Sequence, residues 1–254
     1  MRFYWLNLGI PLLCAVLVLV LFDLTSLDVA ISKLFYDPAT QVFAANLIPQ
    51  VEQFTATWAR WLTNGVVRLA LIGALLSLIW PLIERHPRAV GVLTAIRTAP
   101  LLRLAARHRR DLWYVVLAFV LCIGVVQWLK AHTGVYCPIQ TTRFGGPHEQ
   151  TQWFRHMELS GTADEGRCWP GGHAASGFSM LVLYFVALRH QWRYRRWVMW
   201  GALLLGLGYG AVRVLQGWHL MSQNLWAGII VWLVCWLTAL AFYGPARLTG
   251  RRQA

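Results

Sequence analysis

The sequence predicts an all-α membrane protein with six transmembrane helices, and three observations lead to this class. Hydrophobic residues make up 57% of the chain and charged residues only 13%, a balance that excludes an ordinary water-soluble domain of this length. Six apolar stretches of roughly 20 residues are each long enough to cross, as helices, a hydrocarbon core about 30 Å thick. Arginine residues collect in alternate connections between these stretches, as they do in cytoplasmic loops.

The six spans are predicted, in chain order, at 3–22, 61–83, 112–130, 171–188, 197–217 and 224–243. The first has the position of a signal peptide, but it is longer than the usual apolar core of roughly 7–15 residues. It also has no small-x-small cleavage motif before Asp23, so we expect a retained anchor. Residues 89–107 mix apolar side chains with arginines, which predicts an interfacial helix. We find no internal repeat and expect residues 1–254 to form a single membrane domain.

The distribution of charge predicts that both termini are cytoplasmic. The connections near 85–110 and 189–196 and the segment after 243 are rich in arginine, which keeps them on the cytoplasmic side. The opposite loops, about 23–60 and 131–169, carry most of the acidic residues and are expected to face the periplasm of a bacterial inner membrane. The net charge of +13 therefore reflects topology and anionic lipid head groups rather than binding of nucleic acid.

Four ionisable residues are predicted to lie at the outer ends of three spans. Lys130 ends the third span, His173 begins the fourth, and Arg213 and His219 lie at the outer end of the fifth. Ionisable groups near a span are costly and usually have a function. Because the predicted topology puts all four on one membrane face, we expect them to form one site.

The chemistry of this set fits a phosphate group. Lysine and arginine supply positive charge, while Gly171 and Gly172 leave backbone N–H groups open to an anion at a helix start. Two histidines allow one imidazole to attack phosphorus and the other to protonate the departing oxygen. The outer-loop histidines, His132, His148 and His156, form no close set with cysteine or carboxylate at metal-ligand spacing, so we expect neither a metal nor another cofactor.

Three motifs resemble the signature of the type-2 phosphatidic-acid phosphatase superfamily of integral membrane lipid phosphatases. The family signature is Lys-x6-Arg-Pro, then Pro-Ser-Gly-His, then Ser-Arg-x5-His-x3-Asp. The counterparts here are Lys130-x6-Cys137-Pro138, Pro170-Gly171-Gly172-His173 and Val212-Arg213-x5-His219-x3-Gln223. The motif resemblance covers roughly 130–224, and the six-helix topology extends it to the whole chain.

The resemblance implies a role for each matched residue. His219 is the implied nucleophile, which forms a phosphohistidine, and His173 is the implied general acid for the leaving group. Lys130, Arg213 and the backbone around the two glycines are implied to hold the phosphoryl oxygens. The implied activity is metal-independent hydrolysis of a lipid phosphate or pyrophosphate at the periplasmic face.

Four positions depart from the family signature. Cys137 replaces the arginine of the first motif, and Gly171 and Val212 replace serines. Gln223 replaces the aspartate that orients the nucleophilic histidine. The last departure matters most, because a neutral amide is a weaker acceptor than a carboxylate for the imidazole proton.

A bacterial subgroup of the family shows a similar pattern of departures. It carries a Cys-Pro first motif, and its third motif is similar to the segment His219-Leu-Met-Ser-Gln-Asn-Leu-Trp226. We therefore expect one of three residues to orient the nucleophilic histidine: Ser222, Gln223 or Asn224.

Two of the five cysteines, Cys137 and Cys168, lie in a predicted outer loop beside the motifs, and the other three lie within spans. In an oxidising compartment we expect the two outer cysteines to pair. Such a bridge closes a loop of about 30 residues and stabilises it by about 3–4 kcal/mol in the chain-entropy model. Between them, Arg143 is a candidate for the guanidinium that position 137 lacks, and a solvated loop arginine is the alternative.

The predicted substrate is an amphiphile whose phosphate lies at head-group depth in the membrane. Undecaprenyl pyrophosphate, lipid A phosphate, phosphatidylglycerol phosphate and phosphatidic acid all fit, and the sequence does not select among them. A lipid phosphotransferase with the same intermediate and an inactive lipid-phosphate-binding protein are the alternatives, and Gln223 is the main argument for the second. A channel or transporter is disfavoured because the polar residues gather at one face.

Overall fold

The computed structural model describes residues 2–155, 157–158, 163 and 165–250. Its helices, in chain order, are α1 (Arg2–Asp23), α2 (Leu27–Lys33), α3 (Pro49–Gln53), α4 (Ala59–Ile83), α5 (Pro87–Ala95), α6 (Ala99–Arg107), α7 (Arg109–His132), α8 (Gly172–Phe178), α9 (Leu181–Arg189), α10 (Arg195–Leu215) and α11 (Met221–Thr249). A short antiparallel hairpin, β1 (Tyr36–Asp37) with β2 (Val42–Phe43), lies between α2 and α3. The all-α class is therefore confirmed. His156, an outer-loop histidine, falls outside the described residues.

Five helices of the described chain, α1, α4, α7, α10 and α11, are long and apolar enough to cross a membrane. Their bounds lie within three residues of the predicted spans, except that α11 continues to Thr249. Gly244, with φ 74°, and Pro245 interrupt the regular backbone of α11, which places a kink near its end. The protein is thus a multi-pass membrane protein.

The segment predicted as an interfacial helix at 89–107 is a pair of short helices. α5 and α6 meet at an angle of 112°, and they amount to a sixth membrane span only if the bent pair crosses as one unit. Both begin with proline in the first turn, where its fixed φ suits a helix start. Arg97, with φ 59°, lies between them and ends the helical backbone of α5.

The predicted fourth span, 171–188, is not one continuous helix. It forms α8 and α9, separated by Ser179 and Met180. The Ser179 hydroxyl donates to the carbonyl oxygen of Ser176 at 2.6 Å, a local bond that competes with the regular helical ladder. The pair still packs centrally: a Cβ on Gly177 would lie 2.7 Å from Cα of Gly206, so the backbones of α8 and α10 touch.

The apolar core runs along α7, α8, α9 and α11. Tyr114, Phe178, Phe185 and Val231 are fully or nearly fully buried within it. Large apolar side chains on α1 and α4 remain exposed instead, including Leu69 at 71%. Exposed apolar faces of this kind suit contact with lipid. Around the core, the first turn of α4, the last turns of α7 and α10 and the start of α8 border one cavity.

Candidate active site

A cavity of about 560 Å³ brings together the residues that the motifs predicted. Lys130 from the end of α7, His173 from the start of α8, Arg213 from the end of α10 and His219 from the following turn all line it. Gly172 lines it as well. Three motifs that are far apart in sequence therefore meet around one space.

Gln223 holds His219 in place. The Nδ1–H group of His219 donates to Oε1 of Gln223 at 3.0 Å, and the backbone N–H of Leu220 donates to the same oxygen at 3.1 Å. Because Oε1 accepts both bonds, the imidazole proton stays on Nδ1 and the lone pair on Nε2 remains available. An amide thus does the orienting that the resemblance assigns to a carboxylate.

His219 is 5% exposed, and this burial has an electrostatic consequence. Burial first, and then the positive charge of Lys130, lowers the pKa of His219 from 6.5 to about 3, although the bond to Gln223 acts in the opposite direction. The imidazole is therefore neutral near pH 7, which is the form that can attack phosphorus.

The other two candidates for orienting His219 have different partners. The Ser222 backbone N–H donates to Oδ1 of Asp28 at 3.0 Å, at the start of α11. The Asn224 side-chain amide donates to the carbonyl oxygens of Gly210 and Leu220, each at 3.2 Å. Among the three, Gln223 makes the hydrogen bond to the imidazole.

The expectation that the backbone at both glycines binds the phosphate is wrong for Gly171. Its N–H group donates to the carbonyl oxygen of Gln223 at 2.8 Å and is already used. A Cβ at Gly171 would overlap Oδ1 of Asn224, so glycine is needed here for close packing of the second motif against α11. Gly172 remains at the cavity, where a Cβ would lie 3.2 Å from Cε of Lys130.

Lys130 is joined to the segment that precedes the second motif. Its Nζ donates to the carbonyl oxygen of Arg167 at 2.6 Å. Cys137 and Cys168 form a disulfide with Cα atoms 5.1 Å apart, and the Cys168 N–H donates to the carbonyl oxygen of Val135 at 2.8 Å. The first and second motifs are thus tied by a covalent bond and by hydrogen bonds.

The guanidinium of Arg213 contacts the imidazole of His173 and is also hydrogen-bonded to a buried glutamine. Its Nε lies 3.2 Å from Nδ1 of His173, and its Nη2 lies 3.0 Å from Nε2. Its Nη1 donates to Oε1 of the fully buried Gln216 at 3.0 Å, and Gln216 in turn donates to Oε2 of Glu52 at 2.8 Å. Sequence reasoning missed Gln216 and Glu52.

A match to a known protein family identifies the family of this chain. The model of the PAP2 superfamily matches residues 111–246, which is more than half of the chain and includes all three motifs. The chain belongs to the PAP2 superfamily. No curated protein and no solved structure matches it. Membership of the PAP2 superfamily, together with the apolar helices, gives the protein a membrane phosphatase-type function.

Within this PAP2 protein, Arg143 is not at the cavity of the three motifs. It lines a different cavity, which also contains Asp23 and Asp28. The motif cavity is lined instead by two other arginines, Arg60 and Arg167. The sequence contains only weak indications of these two arginines: Arg60 lies at the start of a predicted span, and Arg167 directly precedes Cys168.

A cluster of ligand-type side chains lies at the opposite end of α7. His108, Asp111 and His190 each present one ligand atom, and these atoms lie within 4.8 Å of one another. Asp111 also pairs with Arg189, whose charge already satisfies the carboxylate. Sequence reasoning missed this cluster because about 80 residues separate His190 from the other two, whereas metal motifs usually show short spacings.

Proposed function

We propose that this PAP2 protein is a membrane lipid phosphatase that works through a phosphohistidine on His219. The observation that carries the proposal is the hydrogen bond from His219 Nδ1–H to Gln223, which leaves Nε2 of a neutral imidazole available in a cavity with Lys130 and Arg213. A nucleophile, a proton donor and fixed positive charge are the parts that phosphoryl transfer requires.

In the first step, Nε2 of His219 forms a bond to phosphorus while the bond from phosphorus to the lipid oxygen breaks. His173 gives a proton to that oxygen, so the lipid leaves as a neutral alcohol or, from a pyrophosphate, as a protonated monophosphate. In the second step, His173 takes a proton from water, the water oxygen bonds to phosphorus, and the phosphorus–nitrogen bond breaks. His219 is then neutral again and inorganic phosphate is free.

Positive side chains take the part that a metal ion plays in many other phosphatases. Lys130 and Arg213 are proposed to hold the phosphoryl oxygens as negative charge develops on them. Arg60 and Arg167 line the same cavity and are proposed to replace the arginine that the first motif lacks at Cys137. The proposed reaction therefore needs no added metal.

The proposed location is a bacterial inner membrane with the cavity facing the periplasm. Arginine-rich connections at the other ends of the helices support this orientation, because such loops remain cytoplasmic. The cavity lies where span ends meet, so it suits a phosphate at head-group depth. Undecaprenyl pyrophosphate, lipid A phosphate, phosphatidylglycerol phosphate and phosphatidic acid are the substrates to test.

These contacts bear differently on the two alternatives, which are an inactive lipid-phosphate-binding protein and a lipid phosphotransferase. Gln223 was the main argument for an inactive binder, and its bond to His219 weakens that argument because the imidazole is still oriented. A phosphotransferase uses the same intermediate and differs only in the acceptor of the second step. It is distinguished by loss of substrate phosphate without release of inorganic phosphate.

The test is release of phosphate from the four lipids by purified protein in detergent with a chelator present. We expect release by the wild type, at least a thousandfold less with His219→Ala, as for a nucleophile removed from a catalytic unit, and wild-type release with His86→Ala, an exposed histidine before α5. Label transferred from a radioactive lipid phosphate should remain on protein in alkali and be lost in acid. Undiminished release by His219→Ala would contradict the proposal.

A further inference from the structure

A second cavity, of about 440 Å³, is lined by Gln223 but by neither His219 nor Arg213. It is bordered by the end of α1, by α2, by the loop segment 150–155 and by the start of α11. Asp23 and Asp28 line it, and so do two arginines, Arg143 and Arg155. Asp23 ends the first membrane span, so this cavity opens at the level of lipid head groups.

The inner part of the cavity has an excess of negative charge. Asp28 is 4% exposed, and its Oδ1 accepts the Ser222 backbone N–H. Oδ2 of Asp23 accepts the indole N–H groups of Trp226 at 2.7 Å and Trp153 at 3.2 Å. Among the described residues, neither carboxylate has a lysine, arginine or histidine partner within ion-pair distance.

The pKa of Asp28 agrees with an uncompensated charge. Burial raises its pKa, and the nearby negative charge of Asp23 raises it further, while hydrogen bonds from Ser222 act in the opposite direction. A buried carboxylate beside another carboxylate is expensive unless a cation is close. The cavity supplies room for such a cation.

Buried polar atoms around the cavity lack hydrogen-bond partners. Oε1 of Gln150 and Oε1 of Gln152 are both buried and unpaired within the described chain. Gln152 donates through Nε2 to the carbonyl oxygen of Asp23 at 2.8 Å, so the unpaired atom of this side chain is its acceptor. Trp169 is 4% exposed and its Nε1–H is likewise unpaired. Buried polar atoms usually have a partner in native proteins, so these unpaired groups give the wall of the cavity a polar character that suits a polar ligand better than an apolar one.

The two arginines at this cavity are both exposed, whereas Asp28 is buried. The positive charge therefore lies in the solvent-exposed part of the cavity and the negative charge in its buried part. This arrangement is complementary to a zwitterion that carries a phosphate next to an ammonium. Trp153 and Trp169 stack with ring centroids 4.5 Å apart beside the same space, and aromatic rings also favour a cation.

We propose that the second cavity binds the head group of an amine-bearing phospholipid, with a primary ammonium at Asp23 and Asp28 and the phosphate at Arg143 and Arg155. A primary ammonium donates N–H hydrogen bonds to the two carboxylates, which a quaternary ammonium cannot do. Occupation of this cavity does not depend on turnover at His219, because the two cavities have no lining residue in common.

The test is calorimetric titration of the full-length protein in detergent with three water-soluble probes. They are glycerophosphoethanolamine, glycerophosphocholine, which has no ammonium N–H, and glycerophosphoglycerol, which has no positive charge. We expect the first to bind at least about tenfold more tightly than the other two, as loss of one charge-assisted contact implies. Equal binding of all three, or no binding of the first, would overturn the proposal.

Variants connect the binding to the named residues. Asp28→Asn keeps an acceptor for the Ser222 N–H, and Arg143→Gln changes an exposed side chain, so each tests charge with little change of shape. Each should weaken binding of glycerophosphoethanolamine about tenfold or more, whereas Asp37→Asn, an exposed acid in the β hairpin, should not. Wild-type affinity in both Asp28→Asn and Arg143→Gln would refute the site.

His219→Ala separates this proposal from the phosphatase. That variant should bind glycerophosphoethanolamine like the wild type while releasing phosphate from the lipids at least a thousandfold more slowly. Binding that disappears in His219→Ala would mean that the probe occupies the catalytic cavity, which would also overturn the proposal.

Discussion

The Nδ1 atom of His219 lies 3.0 Å from Oε1 of Gln223, at the position where the family signature has an aspartate. The amide keeps the imidazole tautomer that leaves Nε2 available, and it does so without adding a negative charge. Orientation and charge, which an aspartate supplies together, are therefore separate in this protein. This separation can be tested by substitution.

Gln223→Leu should lower kcat by about 10- to 100-fold, because a lost hydrogen bond to a buried group costs about 1–3 kcal/mol. Gln223→Glu keeps the length of the side chain and should retain most of the activity. The measurement is phosphate release at saturating lipid. A wild-type kcat in Gln223→Leu would show that the bond does not orient the nucleophile.

Stability should fall as the pH drops from about 6.5 toward 3. Unfolded His219 binds a proton below its ordinary pKa of 6.5, whereas the folded residue does so only near 3, so acid favours unfolding across this window. The measurement is the difference in Tm between wild type and His219→Ala at several pH values. That difference should shrink in acid, and a constant difference would contradict the lowered pKa.

Gln216→Leu should raise KM for the lipid phosphate with a smaller effect on kcat. The substitution removes the acceptor for Nη1 of Arg213 and the hydrogen bond to Glu52, so the guanidinium keeps only its direct ion pair with Glu52 and is held less firmly toward the cavity. We expect a KM increase of about tenfold, equivalent to about 1.4 kcal/mol. If Tm changes but kcat and KM stay the same, the role of Gln216 is purely structural.

The unfolded protein should show three free thiols before reduction and five after it, because Cys137 and Cys168 are paired and the chain has five cysteines. Replacing both paired residues by serine should cost about 3–4 kcal/mol of stability in the chain-entropy model. Cys14→Ser, at an exposed position on α1, is the matched control and should leave Tm unchanged. Five thiols without reductant would disprove the pairing.

Gly171→Ala should lower both Tm and activity, because the added methyl group overlaps Oδ1 of Asn224. Gly124→Ala is the matched control on α7, since a Cβ there meets nothing within 4 Å. It should be neutral or stabilise the helix by up to about 1 kcal/mol. Equal effects of the two substitutions would mean that Gly171 is not needed for packing against α11.

Much of the fold could be predicted because apolar length is a local property of a sequence. Five spans appear close to their predicted bounds for this reason. The break at Ser179 and Met180 could not be predicted from apolar length, because the apolar run continues from Met180 into the following residues. The bend between α5 and α6 depends on Arg97, whose positive φ has no compositional signal.

In the candidate site as well, some residues could be predicted from the sequence and others could not. Lys130, His173, Arg213 and His219 could be predicted because their spacings within motifs are short and specific. Gln216 could not be linked to its partner, because Glu52 lies 164 residues earlier in the chain and only packing brings them together. Arg143 was proposed because it lies between the two outer cysteines in the sequence, and the loop that carries it lines the second cavity instead.

The disulfide between Cys137 and Cys168 also affects the stage of biosynthesis at which the protein can become active. These cysteines border the motif cavity, and their bond forms only where thiols are oxidised. With the proposed orientation, the loop 131–169 meets such conditions only after it has been translocated. Newly synthesised chains would therefore mature in step with membrane insertion, and phosphatase activity would depend on the oxidative folding machinery of the envelope.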